Sequence, residues 1–420
     1  MSQKEFKIHT LEVKRTFLPT LVVIWIYSGF VRLYLFPQFA QVIYFAPIAV
    51  LLVITFRLFF LTDRDKSFHH LYLILLSSCV TFQILHFMYG DIDSKILVYG
   101  LSLYVIPFAT IIQIPLTLKL NANVKCEMLI LYALFPNFIL VILQTVIPNS
   151  KFLPTLDNTD HLESANGVVR AFGTFSSTSG FSFYLTLCTA VLLGYSKSLK
   201  QNRVFFYWIL LGSMYVLSGS RTVIFSLLFL LFTCAIFGGI SIRWILRFSN
   251  LVRTILIVSC TYILVHFFFY NIYRAFLTRF ADASSQENTL TRIQDSIIGF
   301  VSQDSKSLIG QGFGSRSIGA YSYTTSAGWI ENDLPRIVAE SGVFIGVSII
   351  FGRWIFLSWL LRTQARHTGA KRFYRSLLIG AIFPVILFGQ FMGQGSISLG
   401  TWISIYFCLC IEPDFVKQRF

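Results

Sequence analysis

Residues 17–36 of this chain read FLPTLVVIWIYSGFVRLYLF, and residues 39–60 read FAQVIYFAPIAVLLVITFRLFF. Each stretch matches the ~20 apolar residues that an α-helix needs to cross the ~30 Å hydrocarbon core of a bilayer. Both contain almost no charge, and similar stretches recur along the chain. The sequence therefore predicts a membrane protein built from transmembrane helices.

The composition favours a bilayer over water as the environment of the chain. It has 420 residues, of which 55% are hydrophobic and 13% are charged, whereas soluble domains carry roughly 25% charged residues. So little charge does not solvate the surface of soluble domains of this total length. The net charge of +15 would suggest nucleic acid for a soluble protein, but here the charges fall between the apolar stretches. We therefore expect the lipid bilayer, and no nucleic acid, as a partner.

Apolar stretches that are candidate spans recur throughout the chain. They cover residues 17–36, 39–60, 70–88, 96–118, 128–146, 171–195, 204–219, 222–239, 254–271, 340–361, 376–393 and 399–412. We predict an all-α fold, a polytopic integral membrane protein of about twelve transmembrane helices, with residues 1–420 forming a single transmembrane domain. The charged N-terminus enters the first stretch without a convincing cleavage site, so we interpret that stretch as a retained anchor.

Basic residues concentrate in alternate connections between these stretches. The connections on the side of the N-terminus carry Lys4, Lys7, Lys14, Arg15, Arg64, Lys66, Lys119, Lys125, Lys197, Lys200, Arg203, Arg243, Arg247, Arg253, Arg362, Arg366, Lys371, Arg372, Arg375, Lys417 and Arg419. The short links at 89–95 and 394–398, on the other side, contain only Lys95. Because positive charge is retained in the cytoplasm, we predict that both termini are cytoplasmic.

Two long loops then fall outside, at residues 147–170 and 272–339. The second is the only outside segment large enough to build extramembrane structure. Within it, Leu290, Ile293, Ile297 and Val301 recur at helical spacing, which predicts a short amphipathic helix. We expect the loop 272–339 to contain short helices and to carry the active site.

Arginines lie on the side where positive charge is normally scarce. They are Arg170, Arg221, Arg292, Arg316 and Arg336. Ionisable groups at membrane edges are costly and often functional, and guanidinium groups bind phosphate oxygens through two parallel hydrogen bonds. The five arginines therefore suggest a phosphate-bearing ligand at the outer leaflet.

Several short motifs accompany these arginines in a definite order. They are Ser218-Gly-Ser-Arg221-Thr at a helix start, Arg292 opening the loop helix, Gly310-Gln-Gly312-Phe-Gly314-Ser, and Glu331-Asn332-Asp333-Leu followed by Glu340-Ser-Gly342. Over residues 215–346 this order resembles the O-antigen ligase/polymerase superfamily of bacterial envelope glycosyltransferases. The resemblance implies a multi-pass protein of the bacterial inner (plasma) membrane and a metal-independent transferase without a cofactor. Its donor would be a sugar chain on undecaprenyl diphosphate.

The chain departs from the ligases of that superfamily at Glu331-Asn332, where they have His-Asn, and residues 272–339 contain no histidine. The departure favours a polymerase, which joins lipid-linked oligosaccharide units into a surface polysaccharide (O-antigen, capsule or exopolysaccharide) at the periplasmic face. In this interpretation Arg221 stabilises the departing diphosphate and Glu331 takes the proton from the acceptor hydroxyl. The remaining contacts to diphosphate or glycan are assigned to Arg170, Arg292, Arg316, Arg336 and Asn332.

Other functions stay open at this point. An O-antigen ligase shares the donor, and a lipid-linked oligosaccharide flippase would also have about twelve spans. Transporters tend to have related halves and polar residues near the bilayer midplane, whereas here the charges gather at one face. A chain-length regulator and a flippase of the same pathway are further candidate partners for a polymerase.

Simpler roles compete with the functional ones at individual residues. Arg221 is also suited to anchor a helix end at the interface, and Arg316 and Arg336 to pair with carboxylates such as Glu331 and Asp333. Glu340 is suited to cap the following helix. We interpret the run Gly310–Gly314 as a turn whose backbone amides approach a phosphate.

Metal sites find little support in the sequence. Asp91-Ile-Asp93 is an isolated Asp-x-Asp pair, and His86, His161 and His266 lack the spacing of metal ligands. All seven cysteines lie in or at the ends of apolar segments. That placement argues against a disulfide framework and against a zinc site.

Overall fold

The computed structural model describes residues 18–61, 66–89, 92–104, 126–147, 170–196, 198–237, 248–271, 273–274, 277–278, 294, 308–317, 330, 332–389, 391 and 394–410. Within these ranges all regular structure is helical. The all-α class predicted from the sequence is therefore confirmed.

The helices are numbered here in chain order. They are α1 (Leu18–Leu35), α2 (Ala40–Leu61), α3 (Lys66–Met88), α4 (Ser94–Tyr104), α5 (Cys126–Tyr132), α6 (Leu134–Val146), α7 (Thr178–Tyr195), α8 (Gln201–Leu217), α9 (Arg221–Phe237), α10 (Phe248–Phe268), α11 (Asp333–Ala365), α12 (Gly369–Leu387) and α13 (Gly395–Cys410). The last turn of α1, Val31–Leu35, is π-helical, and a 3₁₀ turn at Pro37–Phe39 joins it to α2.

Some of these helices are long and apolar enough to cross a membrane. Among the described residues they are Leu18–Leu35, Cys126–Val146, Thr178–Tyr195 and Asp333–Ala365, and shorter apolar helices lie at Pro37–Val53, Arg221–Phe237, Ile255–Phe268 and Gly395–Leu409. Large apolar side chains also cover the exterior. Phe267, Phe268 and Phe344 are 76%, 78% and 71% exposed. Apolar surface of this kind marks a membrane or partner interface, and the spans make a bilayer its natural solvent.

Helix α12 lies at the centre of the bundle, in contact with α7, α9, α11 and α13. Glycines allow the close approach. A Cβ at Gly380 would lie 2.8 Å from the Cα of Leu230 in α9, and one at Gly194 in α7 would overlap the ring of Tyr374. Small residues let helices pack backbone to backbone where lipid offers no hydrophobic driving force. The centre of the bundle is thus fixed by packing between helices.

The segment before α7 is held by two buried amide side chains of α6. Asn137 Oδ1 accepts hydrogen bonds from the amide and hydroxyl of Thr174, and Gln144 Oε1 accepts from the amides of Phe172 and Gly173. Asn137 and Gln144 are seven residues apart, which places them on one face of the helix. They fix the irregular backbone that carries residues 170–177.

Helix α11 begins earlier than the sequence predicted. Residues 333–339 were assigned to the outside loop, with the span starting at 340, but the helix starts at Asp333 and continues across a kink at Gly342 (φ 79°, ψ 168°) to Ala365. The charged residues of its first turns suggested a solvated loop. They are buried instead, because their charges bind one another inside the bundle.

Candidate functional site

The carboxylate of Glu340 is the centre of the site. It is fully buried in the first segment of α11, where it accepts hydrogen bonds from the hydroxyl of Tyr104, the amide of Gly314 (2.9 Å) and the amide of Arg316 (3.0 Å). Arg336 Nη1 lies 3.3 Å from Glu340 Oε1. The interpretation of Glu340 as a cap for the following helix was therefore wrong, since its carboxylate binds a distant loop.

Glu340 belongs to a buried cluster of two acidic and two basic side chains. Arg336 pairs with Asp333 as well as with Glu340, and Arg353 Nη1 lies 2.6 Å from Asp333 Oδ2. All four residues are at most 4% exposed. Their formal charges cancel, and each guanidinium has several hydrogen bonds, which is the condition under which charges tolerate burial.

Arg353 connects this cluster to the end of α12. Its guanidinium donates to the carbonyls of Val385, Ile386 and Gly389 at 2.9–3.1 Å. The last carbonyls of a helix have no partner within the helix, and a cation near the C-terminus also suits the helix dipole. Arg353 thus ties α11 to the C-terminal end of the central helix.

The loop 308–317 docks onto Glu340 through its backbone. The amides of Gln311 and Gly312 donate to the carbonyl of Glu340, and that of Phe313 donates to Gln83 Oε1. The amides of Ser315 and Ser317 donate to carbonyls within the loop. With Gly314 and Arg316 bound by the carboxylate, every amide from 311 to 317 has a protein acceptor. The predicted turn is therefore confirmed, but the amides of residues 311–314 are bonded within the protein, so the expected approach of these amides to a phosphate is not what the structure has.

Glycines make this docking sterically feasible. Gly310 and Gly342 both have positive φ (83° and 79°) and face each other so closely that a Cβ on Gly310 would overlap the amide nitrogen of Gly342. On the other side of the loop, a Cβ on Gly314 would lie 3.0 Å from the Cα of Gly100 in α4. The loop is thus held between the kink of α11 and the backbone of α4.

Phe313 anchors the loop in a small aromatic core. Its ring stacks on Tyr104, with centroids 4.7 Å apart, and lies 4.9 Å from Phe82. The side chain of Gln83 in α3 binds both backbone groups of Phe313 at 2.8 Å. These contacts join α3, α4 and α11 around the loop.

Arg316 lies on the outer side of the docked loop. Its Nε donates to Gln311 Oε1 at 2.5 Å, and its carbonyl accepts from the amide of Ile330 at 3.0 Å. Asn332 stands at the N-cap position of α11 in extended conformation. Ile330 and Asn332 flank Glu331, which lies outside the described residues, as do Arg292 and the predicted helix over 290–301 except residue 294.

Arg170 and Arg221 lie close to one turn. Arg221 is the first residue of α9 and follows the turn at Gly219, whose φ is 58°. The Cγ of Arg170 is 3.9 Å from the position of a Cβ on Gly219, so Arg170 packs beside this turn. Arg170 Nε is buried, and no described residue accepts a hydrogen bond from it.

Arg336 differs from Arg170, Arg221 and Arg316, the other predicted arginines that the structure describes. It is only 2% exposed, and its guanidinium binds Asp333 and Glu340. The sequence left open whether Arg336 pairs with a carboxylate, and in the structure it does. Arg336 is therefore assigned to the buried cluster.

The Asp-x-Asp pair contributes one described residue. Asp93 Oδ1 accepts a hydrogen bond from the hydroxyl of Ser94 at 3.0 Å, which lowers the pKa of this exposed carboxyl group. Asp91 lies outside the described residues. Among the residues that are described, no group of three or more His, Cys, Asp or Glu side chains is placed to hold a metal ion.

The sequence did not point to Arg353, Gln83 or Tyr104 as parts of the site. Arg353 could have been noticed in the sequence, since an arginine inside an apolar span is costly and usually has a partner. Gln83 and Tyr104 carried no such indication, because their partners are 230 and 236 residues away along the chain.

Comparison of the chain with protein-family models and with curated proteins finds no match. The function proposed below therefore rests on the motifs of the sequence and on the geometry of the site.

Proposed function

We propose that the chain is a membrane glycosyltransferase of the polysaccharide polymerase type, which joins undecaprenyl-diphosphate-linked oligosaccharide units at the periplasmic face of the bacterial inner membrane. The supporting observation is the contact between two of the resembling motifs. Glu340, in the segment Asp333–Gly342, binds the backbone of both Gly314 and Arg316 in the loop that precedes it. A loop held this firmly is suited to present its outer side to a substrate.

The diphosphate is assigned to the arginines at the helix ends. Arg221 begins α9 and Arg170 packs beside the turn before it, so two guanidinium groups belong to one region of the bundle. Charges in this position stabilise the negative charge that develops on the departing diphosphate. Arg316 and Arg292 are proposed to add contacts from the loop, whereas Arg336 is not, because it is buried and paired.

The proton of the acceptor hydroxyl is assigned to Glu331. Glu340 is not assigned this role, because its carboxylate oxygens already accept hydrogen bonds from Tyr104, Gly314, Arg316 and Arg336. Glu331 lies between Ile330, whose amide binds the carbonyl of Arg316, and Asn332 at the start of α11. In this proposal the acceptor sugar binds beside the loop that Ile330 contacts.

The test uses purified full-length protein and lipid-linked repeat units isolated from the source bacterium. Arg221→Ala should abolish elongation, and Arg221→Lys should keep a small part, because lysine retains the charge but loses the planar two-pronged contact. Glu331→Gln should bind the donor normally but elongate about 10²–10⁴-fold more slowly, as expected for a general base. Polymer length on gels and donor binding are measured for each variant.

Arg203→Gln is the matched control, since Arg203 is an exposed arginine in the first turn of α8. This variant should elongate the polymer like the parent. Normal elongation by Arg221→Ala would reduce Arg221 to an interfacial anchor and refute the diphosphate site.

Elongation should also persist in excess chelator. If the protein moves the lipid-linked donor across the membrane of vesicles without lengthening the sugar chain, it is the transporter instead.

A further inference from the structure

A cavity of about 60 Å³ opens between α1, α2, the end of α4, the start of α13 and the segment before α7. Its polar wall is formed by Ser28, Arg32, Ser102, Ser176, Ser396 and Ser398. A water molecule needs roughly 10–15 Å³ of such space, so the cavity has room for a group of several atoms. None of the arginines predicted from the sequence belongs to its lining.

The charge of the cavity favours an anion. Arg32 lies in the π-helical last turn of α1, and no carboxylate is among the described residues that line the cavity. Ser176 precedes the N-terminus of α7, and Ser396 and Ser398 lie in the first turn of α13. Two helix N-termini therefore add their positive dipole ends to the charge of Arg32.

Two serine hydroxyls of the lining lack a partner among the described residues. Ser396 Oγ and Ser398 Oγ are buried without a hydrogen bond, and Ser398 is only 1% exposed. A buried hydroxyl without a partner costs free energy, so such groups are rare unless a ligand or water uses them. Acceptor oxygens of an anion in the cavity would satisfy both.

The other wall of the cavity is apolar and includes Pro47, Ile48, Leu51 and Leu399. Helices α1 and α7 are candidate membrane spans, and Arg32 lies in the last turn of α1 while Ser176 lies just before α7. We propose that the Arg32 cavity binds a phosphate group carried on the hydrocarbon chain of a membrane lipid. If the proposed function holds, the cavity supplies a site for one of the two lipid-linked molecules that are joined.

The test measures saturation binding of radiolabelled farnesyl phosphate to the full-length protein in dodecyl maltoside, a detergent without phosphate. We expect one saturable site whose affinity falls at least 10-fold in Arg32→Gln and several-fold in Ser398→Ala. Arg32→Lys should keep an intermediate affinity. Two controls should bind like the parent: Arg203→Gln, which removes an exposed arginine, and Ser404→Ala, which removes a hydroxyl of α13 that donates to Gly400 away from the cavity.

Competition identifies the source of the phosphate. Farnesol and inorganic phosphate should displace the probe only at concentrations at least 10-fold higher than farnesyl phosphate. Displacement by inorganic phosphate at equal concentration would show a free-anion site and overturn the lipid assignment. Equal displacement by farnesol would show a purely apolar pocket and overturn it as well.

Unchanged affinity in folded Arg32→Gln overturns the proposal. If that variant does not fold, Ser398→Ala decides, because it removes one hydroxyl and no charge, and normal binding there also overturns the proposal. Binding requires no polymer formation. A parent that elongates but shows no saturable site refutes the cavity alone, whereas Arg32-dependent binding without any elongation refutes the polymerase alone.

Discussion

Glu340 shows how a single carboxylate organises this site. It is fully buried, and it neutralises Arg336 while accepting hydrogen bonds from Tyr104, Gly314 and Arg316. A carboxylate is suited to this because both of its oxygens only accept. An amide of the same shape would turn an NH₂ group toward one of these donors.

Glu340→Gln should therefore destabilise the protein strongly. It leaves the two arginines of the cluster, Arg336 and Arg353, with a single carboxylate, Asp333, and breaking a buried ion pair typically costs about 3–5 kcal/mol. The midpoint of thermal unfolding of the purified protein in detergent measures the effect. Asp93→Asn makes the same chemical change at an exposed position and should shift the midpoint much less.

Arg336→Gln complements that experiment. If the two side chains stabilise the fold through each other, the double variant should lose less than the sum of the single losses, by about 0.5–3 kcal/mol. Additive losses would show that Glu340 acts through Tyr104 and the loop amides and not through Arg336. A midpoint of Glu340→Gln equal to that of the parent would refute the structural role altogether.

At the scale of elements, the docked loop 308–317 joins helices that are far apart in sequence. It lies between the kink of α11 at Gly342 and the backbone of α4 at Gly100, and Gln83 of α3 binds its centre. The loop thus acts as a connecting element of the bundle, and it carries Arg316 on its outer side.

Gly310→Ala should release this loop from α11. A Cβ there would overlap the amide nitrogen of Gly342, and alanine also disfavours the positive φ of 83°, by roughly 1–2 kcal/mol. The amides of residues 311–316 should lose protection from hydrogen exchange, measured by mass spectrometry on peptides that cover them.

Gly369→Ala separates the two causes. Gly369 also has a positive φ (59°), but no atom lies within 4 Å of an added Cβ. It should show the conformational cost alone and leave the exchange of the loop unchanged. If Gly310→Ala leaves the loop as protected as in the parent, the contact between Gly310 and Gly342 does not hold it.

At the scale of the whole molecule, apolar helices with exposed phenylalanines form a bundle suited to a bilayer. The proposed orientation, with about twelve spans and the segment 272–339 in the periplasm, comes from the loop charges. It places the outer side of the docked loop where lipid-linked sugars would arrive.

Reporter fusions test this orientation. An enzyme that is active only outside the membrane should give activity when fused after residue 305 and none when fused after residue 368, because the two points flank the span formed by α11. A reporter active only in the cytoplasm should give the opposite pattern and controls for expression. The reverse result with both reporters would reverse the topology and remove the active site from the periplasm.

The sequence by itself determined the helical class and the membrane environment, because the length and polarity of a stretch decide locally whether a helix crosses a bilayer. It also identified the turn at Gly310–Gly314, where repeated glycines indicate positive φ. It misplaced residues 333–339 in a loop and misassigned Glu340 as a cap, because charged residues near a helix start usually face water.

Only the tertiary structure decided which groups meet. Tyr104 and Glu340 are 236 residues apart, and the Arg32 cavity takes its wall from α1, α2, α4 and α13 together. Spacing in a sequence reports neighbours within one helix. Whether a charge is paired in the interior or faces a ligand depends on how separate helices pack, and that arrangement is a property of the whole bundle.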